Sequence, residues 1–232
     1  MSTGFSPEQE ALYDQTVASV FSRLRKTRNP ADLLAVIRQA HKGFDRAYDT
    51  APAAARASVA CRAGCGTCCH VPVGVQAHEV LLSAEYIQSR FPPDELEAVI
   101  ARFAAHRAAF AGKTMNERAA IRTPCSVLRD GSCSIYEARP EACRSHHSNN
   151  LEGCRSNLDT GIDFVDVLIP DIRGRMFAVM LGIDQAASEA GCDDRAYDFG
   201  SAMHEALTNS LCAVRWMQRQ PAFPDSCLEA EQ

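Results

Sequence analysis

The sequence CRAGCGTCCH, residues 61–70, carries four of the chain's 11 cysteines at short spacing: Cys61, Cys65, Cys68 and Cys69. Its two glycines let the backbone curl tightly, which brings cysteines two or three residues apart towards one centre. Adjacent cysteines point in different directions, so one of the last two is expected to face a second metal or to support the first. This spacing predicts a metal-binding loop rather than a set of small buried hydrophobic residues.

A second cysteine-bearing stretch supplies four further candidate metal ligands: Cys125, Cys133, Cys143 and Cys154. Asp130-Gly131 predicts a tight turn between short apolar stretches. A simple two-residue hairpin there would put Cys125 and Cys133 on opposite faces. If both bind the metal, the loop is therefore predicted to be wider or bulged. Pro140 is predicted to open a short helix, whose positive end, with Arg139 and Arg144, favours a thiolate at the third of these cysteines.

The eight cysteines are expected to converge on a shared inorganic centre, but their spacing leaves its nature open. Structural zinc takes four tetrahedral ligands, often supplied as two short cysteine pairs, and this sequence offers one such pair, Cys65 and Cys68. Iron–sulfur clusters are wider and accept ligands from scattered loops. We therefore favour a 4Fe–4S cluster slightly over zinc, and eight thiols would also suffice for two centres.

Histidines beside the cysteines are further ligand candidates: His70, His146 and His147. The alternative for each is an exposed or hydrogen-bonded side chain. His78 lies in the helix predicted to follow the first cysteine loop. Three others are expected to be structural or exposed: His41, His106 and His204.

The cysteine pattern resembles the YkgJ or CxxCxxCC family, which is described as a zinc- or iron-chelating domain and includes flagellin lysine N-methylase. The resemblance spans residues 61–154 and rests on Cys61, Cys65, Cys68, Cys69, Pro124-Cys125, Cys133-Ser134-Ile135-Tyr136-Glu137, Arg139-Pro140 and Cys143-Arg144. One departure is the first gap, where three residues separate Cys61 from Cys65 although the family name implies two. The resemblance implies a metal-binding domain and leaves the reaction undefined.

The composition is that of an ordinary globular protein, since 46% of the 232 residues are hydrophobic and 23% are charged. A net charge of −5 argues against nucleic acid as a partner, because phosphate binding requires a basic face. No stretch approaches about 18 consecutive apolar residues, and no secretory signal opens the chain, so we expect a cytoplasmic protein without a membrane partner. Cytosolic thiols stay reduced, which favours metal binding over disulfides.

Apolar residues recur at helical spacing through most of the chain, and strand-like sequence is scarce. The predicted fold class is mostly α: a single helical domain with cysteine-bearing loops between helices and one short hairpin-like turn. Capping signals mark helix starts at Ser6, Asn29 and Thr114, and one long last helix is predicted through Met203 and Val214. The predicted regions are an N-terminal helical pair (1–50), the cysteine-cluster region (61–154), C-terminal helices packing on it (155–217) and a loose tail (218–232).

Three functions remain open on the sequence alone. The first is a metal-binding protein without catalysis, such as a cluster carrier or sensor, and the second is a lysine N-methyltransferase related to flagellin methylase. The third is a zinc-stabilised adaptor with a protein partner. No glycine-rich nucleotide loop follows a strand. The spacing C-x3-C-x2-C also matches radical S-adenosylmethionine enzymes, but helices follow it here rather than alternating strands and helices.

Overall fold

The computed structural model describes residues 4–62, 64–160 and 167–229, so positions 1–3, 63, 161–166 and 230–232 of the predicted regions lie outside it. The described part of the chain is mostly α-helical, as predicted, and none of its helices combines the length and apolar character needed to cross a bilayer. The helices are α1 (Pro7–Leu24), α2 (Pro30–Asp49), α3 (Ala53–Ala57), α4 (Ala77–Arg90), α5 (Pro93–Phe110), α6 (Met115–Ile121), α7 (Glu141–Ser145), α8 (Leu151–Thr160), α9 (Pro170–Glu189), α10 (Phe199–Thr208) and α11 (Cys212–Met217).

The helix starts follow from short-range side-chain hydrogen bonds. Ser6 and Gln9 form a reciprocal capping box at the start of α1, and Asn29 accepts a hydrogen bond from the Asp32 amide at the start of α2. Thr114 caps α6 in the same reciprocal way. Each cap satisfies amide groups that the first helical turn leaves without partners, which is why the predicted starts are confirmed.

The strands are short and form two antiparallel pairs, β1 (Gly74–Val75) with β4 (Tyr197–Asp198) and β2 (Leu128–Arg129) with β3 (Ser132–Cys133). The second pair is the predicted hairpin. Asp130 and Gly131 have φ values of 49° and 75°, the left-handed conformation that a two-residue turn of type I′ requires. The hairpin is therefore tight, and the prediction of a wider or bulged loop is wrong.

Helix α9 lies at the centre of the packing, in contact with α1, α2 and α7. Its buried face includes Ile172, Val179 and Ile183. Gly182 permits the close approach of α1, because a Cβ atom there would lie 2.8 Å from the Thr16 Cβ atom and 3.0 Å from the Tyr13 carbonyl oxygen. The small residue thus brings α1 and α9 together and leaves the other faces of α9 for α2 and the cysteine region.

The prediction of one long last helix is wrong, because the chain forms α10 and α11 separated by a turn. Asn209 makes the break: its Oδ1 accepts from the Leu211 amide at 3.0 Å, and its Nδ2 donates to Glu205 Oε1 at 2.8 Å. A side chain that bonds the backbone two residues ahead competes with helical hydrogen bonding.

The prediction of a loose tail over residues 218–232 is wrong for its described part. Ala222, Phe223 and Cys227 are fully buried. The Ala222 amide donates to Asp193 Oδ2 at 2.8 Å, and the Phe223 ring packs edge-on against Tyr197. Buried apolar contacts and a buried carboxylate acceptor therefore hold this segment on the core.

Candidate metal centre

The first cysteine loop is closed by backbone hydrogen bonds. The Cys65 amide donates to the Arg62 carbonyl oxygen at 3.0 Å, and the Cys69 amide donates to the Gly66 carbonyl oxygen at 3.0 Å. Gly66 also lies against the hairpin, since a Cβ atom there would lie 3.1 Å from the Gly131 carbonyl oxygen. A glycine at this position is what lets the loop and the hairpin approach each other.

The two cysteine-bearing stretches meet, although many residues separate them in the sequence. The Cys125 amide donates to the Cys69 carbonyl oxygen at 2.7 Å. The Ser148 amide donates to Cys61 Sγ at 3.3 Å, and the Ser148 carbonyl oxygen accepts from the Ala60 amide at 2.8 Å. Backbone contacts therefore fix the relative position of the two stretches.

Four of the candidate ligands form an inner set: Cys68, Cys125, Cys133 and Cys143. Each of these thiols interacts electrostatically with the other three. The Leu128 amide donates to the Cys125 carbonyl oxygen at 2.8 Å and closes a turn just before β2. Because this turn reverses the chain, it brings Cys125 towards Cys133. Cys143 comes from α7, which begins directly after Pro140 as predicted.

Burial raises the pKa of the inner thiols. It raises the pKa of Cys125 to about 11, and it raises that of Cys133 and, more strongly, that of Cys143. Neighbouring thiols raise these pKa values further, because adjacent thiolates repel one another. The positive charge of the Arg139 guanidinium, in contrast, lowers the pKa of Cys133. Ionising all four thiols together therefore requires a strong positive charge among them.

The other four candidate ligands form an outer set: Cys61, Cys65, Cys69 and Cys154. Cys61 interacts electrostatically with Cys65, Cys68 and Cys154. Ser148 connects the ends of this set, because its amide donates to Cys61 Sγ and its Oγ accepts from Cys154 Sγ at 3.1 Å. A hydrogen bond with Cys69, followed by burial, raises the pKa of Cys68, so the adjacent pair links the two sets.

The spacing of the thiols bears on the kind of centre that they suit. Within the described residues, no three thiols lie within 4.8 Å of one another. Four cysteines on one tetrahedral zinc ion would place their sulfurs about 3.8 Å apart, given a Zn–S bond of about 2.3 Å. An iron–sulfur cluster inserts iron and sulfide between the cysteine sulfurs and separates them more widely.

Residues 60–160 match the family model CxxCxxCC, described as "Putative zinc- or iron-chelating domain". This stretch of the chain is similar to the CxxCxxCC family. Both the inner and the outer set lie inside the matched residues. Comparisons with curated proteins and with solved structures give no match.

Three cysteines lie outside the residues of the family match and are buried: Cys192, Cys212 and Cys227. Burial raises the pKa of each to about 11. They pack as small side chains in the hydrophobic core.

The histidines beside the cysteines of the domain have varied surroundings. His70 Nδ1 lies 3.1 Å from the Gly66 carbonyl oxygen, so a local hydrogen bond occupies that nitrogen. The ring centroid of His147 lies 5.1 Å from that of Tyr48, and burial lowers its pKa. His146 directly follows α7. Their role as ligands stays a prediction.

A buried polar network lies next to the cysteine region and is absent from the sequence predictions. Glu141 Oε1 lies 2.9 Å from His41 Nε2 and 3.1 Å from His78 Nε2. The Glu141 amide donates to Glu79 Oε2 at 2.6 Å. Asp184 Oδ1 lies 3.9 Å from His78 Nε2. Because Glu141 is two residues from Cys143, the same short helix serves both the network and the inner set.

The network holds more acidic groups than its histidines neutralise. Burial alone would lower the pKa of His78, but its hydrogen bond to Glu141 and the surrounding carboxylates raise it to about 9. Burial would raise the pKa of Glu141, yet hydrogen bonds from both histidines lower it. Burial and the charge of Glu141 raise the pKa of Glu79, and they raise that of Asp184 to about 7.

A weak signal for this network exists in the sequence. His41 follows Ile37 by four positions and precedes Phe44 by three, so it lies on the apolar face of α2. His78 and Glu79 likewise interrupt an apolar run at the start of α4. A polar side chain on a buried face needs a buried partner, but the spacing alone does not identify that partner.

Proposed function

We propose that this protein is a metalloprotein whose CxxCxxCC domain holds an iron–sulfur cluster through the inner set. The observation that carries the proposal is the mutual interaction of four thiols from separate segments, spaced more widely than one zinc ion requires. A donor set made only of thiols matches the chemistry of iron–sulfur clusters.

The residues of the domain would each have a defined part. Cys68, Cys125, Cys133 and Cys143 would hold the cluster, and Arg139 would offset some of its negative charge. The outer set would hold a second centre or support the first. When bound, a cluster supplies one-electron transfer or a cross-link between loops. The proposed metal region is 61–154, with helices before and after it as its scaffold.

We further infer that the protein works in the cytoplasm, where thiols stay reduced and available to a metal. A cluster carrier or electron-transfer protein requires a protein partner to receive its cargo, and the proposal includes one. Nucleic acid is not proposed as a partner, because the net charge is −5.

Purification without oxygen, followed by metal and sulfide analysis, tests the proposal. We expect a brown protein whose visible absorbance is bleached by dithionite, with iron and acid-labile sulfide in equal amounts. A colourless protein with stoichiometric zinc would contradict the cluster and support a structural zinc site instead. A protein with neither metal would contradict both.

The lysine methyltransferase alternative stays a hypothesis. Transfer of a labelled methyl group from S-adenosylmethionine to proteins of a bacterial lysate would support it. The same assay with a Cys143→Ser variant would show whether the transfer depends on the proposed centre.

A further inference from the structure

The buried network beside the cysteine domain has the composition of a second metal site. We propose that His78, Glu141 and Asp184 bind a divalent transition-metal ion, separate from the cysteine centre. One imidazole and two carboxylates form a hard donor set that suits Mn²⁺ or Fe²⁺, whereas thiolates select softer ions. Two of the network's members, His41 and Asp184, lie outside the residues of the family match.

The distances between the ligand atoms suit one ion. His78 Nε2, a Glu141 oxygen and an Asp184 oxygen all lie within 4.8 Å of one another. Two atoms bound about 2.1 Å from the same ion lie about 3.0 Å apart at a right angle and up to about 4.2 Å apart on opposite sides. The separations of 3.1 Å and 3.9 Å from His78 Nε2 to the two carboxylates fall within this range.

Unsatisfied polar atoms provide a second, independent observation. Glu141 is completely buried, and its Oε2 has no hydrogen-bond partner among the described residues. The buried Oδ1 atom of Asp184 also lacks a hydrogen-bond partner there. A buried carboxylate oxygen without a partner is costly, and a bound cation removes that cost.

The surrounding helices hold these ligands in place. His78 comes from α4, Glu141 from α7 and Asp184 from α9, so three separate helices supply the donor atoms. His41 of α2 is a positioning residue, because its Nε2 hydrogen-bonds the same Glu141 oxygen that faces His78. The Asp184 side chain is 26% exposed, which gives an ion a route from solvent.

The single tryptophan of the chain is a built-in reporter. Trp216 is fully buried, and its ring centroid lies 6.2 Å from that of His78. A paramagnetic ion bound by His78 would quench the fluorescence of Trp216. Mn²⁺ is the probe of choice because it favours carboxylates over thiolates, so the signal reports this site and not the cysteines.

The experiment titrates the chelator-treated full chain with Mn²⁺ and follows tryptophan fluorescence, bound Mn²⁺ by electron paramagnetic resonance, and the melting temperature. We expect one bound Mn²⁺ per chain, quenched fluorescence and a raised melting temperature.

Asp184→Asn should weaken Mn²⁺ binding at least tenfold. Glu141→Gln, which keeps the buried volume, should weaken it to the same extent. Glu189→Gln is the matched control, because Glu189 is exposed on the same helix, and it should bind like the natural chain.

The outcomes separate this site from the cysteine centre. Cys68→Ser should keep full Mn²⁺ binding, and Asp184→Asn should keep the iron–sulfur absorbance. No quenching and no bound Mn²⁺ in the natural chain would overturn the proposal, as would unchanged binding in a folded Asp184→Asn variant. A chain that binds Mn²⁺ but contains no cluster would contradict the proposed function and leave this site standing.

Discussion

At the scale of single residues, cysteines of one chain differ by what surrounds them. Cys143 interacts with three other thiols. Cys212 is buried in the apolar core, and its Sγ lies 3.9 Å from the Glu205 carbonyl oxygen. The neighbours, rather than the residue type, therefore separate a candidate ligand from a small buried side chain.

Substitution of an inner cysteine should affect metal content and stability together. We expect Cys68→Ser to lose metal and to lower the melting temperature by roughly 4–8 °C, the shift for a loss of about 2 kcal/mol in a chain of this size. The reason is that metal binding contributes directly to the free energy of folding. Elemental analysis and calorimetry on the same sample provide the measurement. Cys212→Ser is the control, and loss of metal in that variant would mean that the site is misassigned.

A single carboxylate, that of Asp193, joins the C-terminal segment to the core. It accepts hydrogen bonds from Arg195 Nε at 2.9 Å, from the Ala222 amide at 2.8 Å and from the Tyr197 hydroxyl. Burial alone would raise the pKa of Asp193, but these hydrogen bonds outweigh burial and lower it from its ordinary value of 3.8.

The depressed pKa of Asp193 sets the sign of a pH effect. Its contribution to stability is complete above its ordinary pKa and is lost as the pH falls through the lower, folded-state pKa. We expect Asp193→Asn to reduce the free energy of unfolding by about 2 kcal/mol at neutral pH, because hydrogen bonds to a charged group are lost. Urea unfolding of both chains should show this difference shrinking below about pH 4. A difference that does not change with pH would contradict the role of the ionised group.

At the scale of elements, two glycines of α9 face α1 in different surroundings. A Cβ atom at Gly182 would lie 3.0 Å from the backbone oxygen of Tyr13, which cannot move without shifting α1. A Cβ atom at Gly174 would meet only the end of the Gln9 side chain, which can shift at the cost of weakening its capping hydrogen bond to the Ser6 amide. Helix propensity favours alanine at both positions by about 1 kcal/mol, so packing decides the difference.

Alanine substitutions at these glycines should therefore have opposite signs. We expect Gly182→Ala to destabilise the fold by about 1–2 kcal/mol, because overpacking at the helix crossing exceeds the gain in propensity. Gly174→Ala should be neutral or stabilise the fold by up to about 1 kcal/mol. Chemical denaturation of the two variants, side by side, gives the measurement. Equal effects at both positions would show that α1 does not lie as closely on α9 as described.

At the scale of the whole molecule, the long helices that form the core and most of the candidate cysteine ligands occupy different parts of the chain. The long helices α1, α2 and α9 pack on one another through apolar faces. Between the longer helices, the cysteine-bearing segments form 3₁₀ turns at Thr67–His70 and Tyr136–Ala138 and strands of two residues. Such segments bury little apolar surface of their own, so their order depends on contacts with the rest of the molecule and on any bound metal.

Removal of metal should therefore loosen one part of the molecule selectively. We expect hydrogen exchange to rise within residues 64–75 and 123–135 after chelation, because the loops then lose the cross-link that the metal makes between them. Exchange in α1, α2 and α9 should stay slow, since their burial does not involve the cysteines. Mass spectrometry of exchanged peptides with and without chelator provides the comparison. Uniform loosening of the whole chain would mean that the scaffold also depends on the metal.

The sequence by itself determined the elements with local causes. Helix starts at Ser6, Asn29 and Thr114 and the turn at Asp130-Gly131 follow from interactions within a few residues, and the cysteine pattern carries the similarity to the CxxCxxCC family over residues 60–160. Tertiary structure alone decided which distant groups meet: the division of eight thiols into two sets, the packed C-terminal segment, and the buried network around Glu141. The physical reason is that a buried partner arrives through helix packing, and the spacing of residues along one helix predicts which face is buried but not what that face contacts.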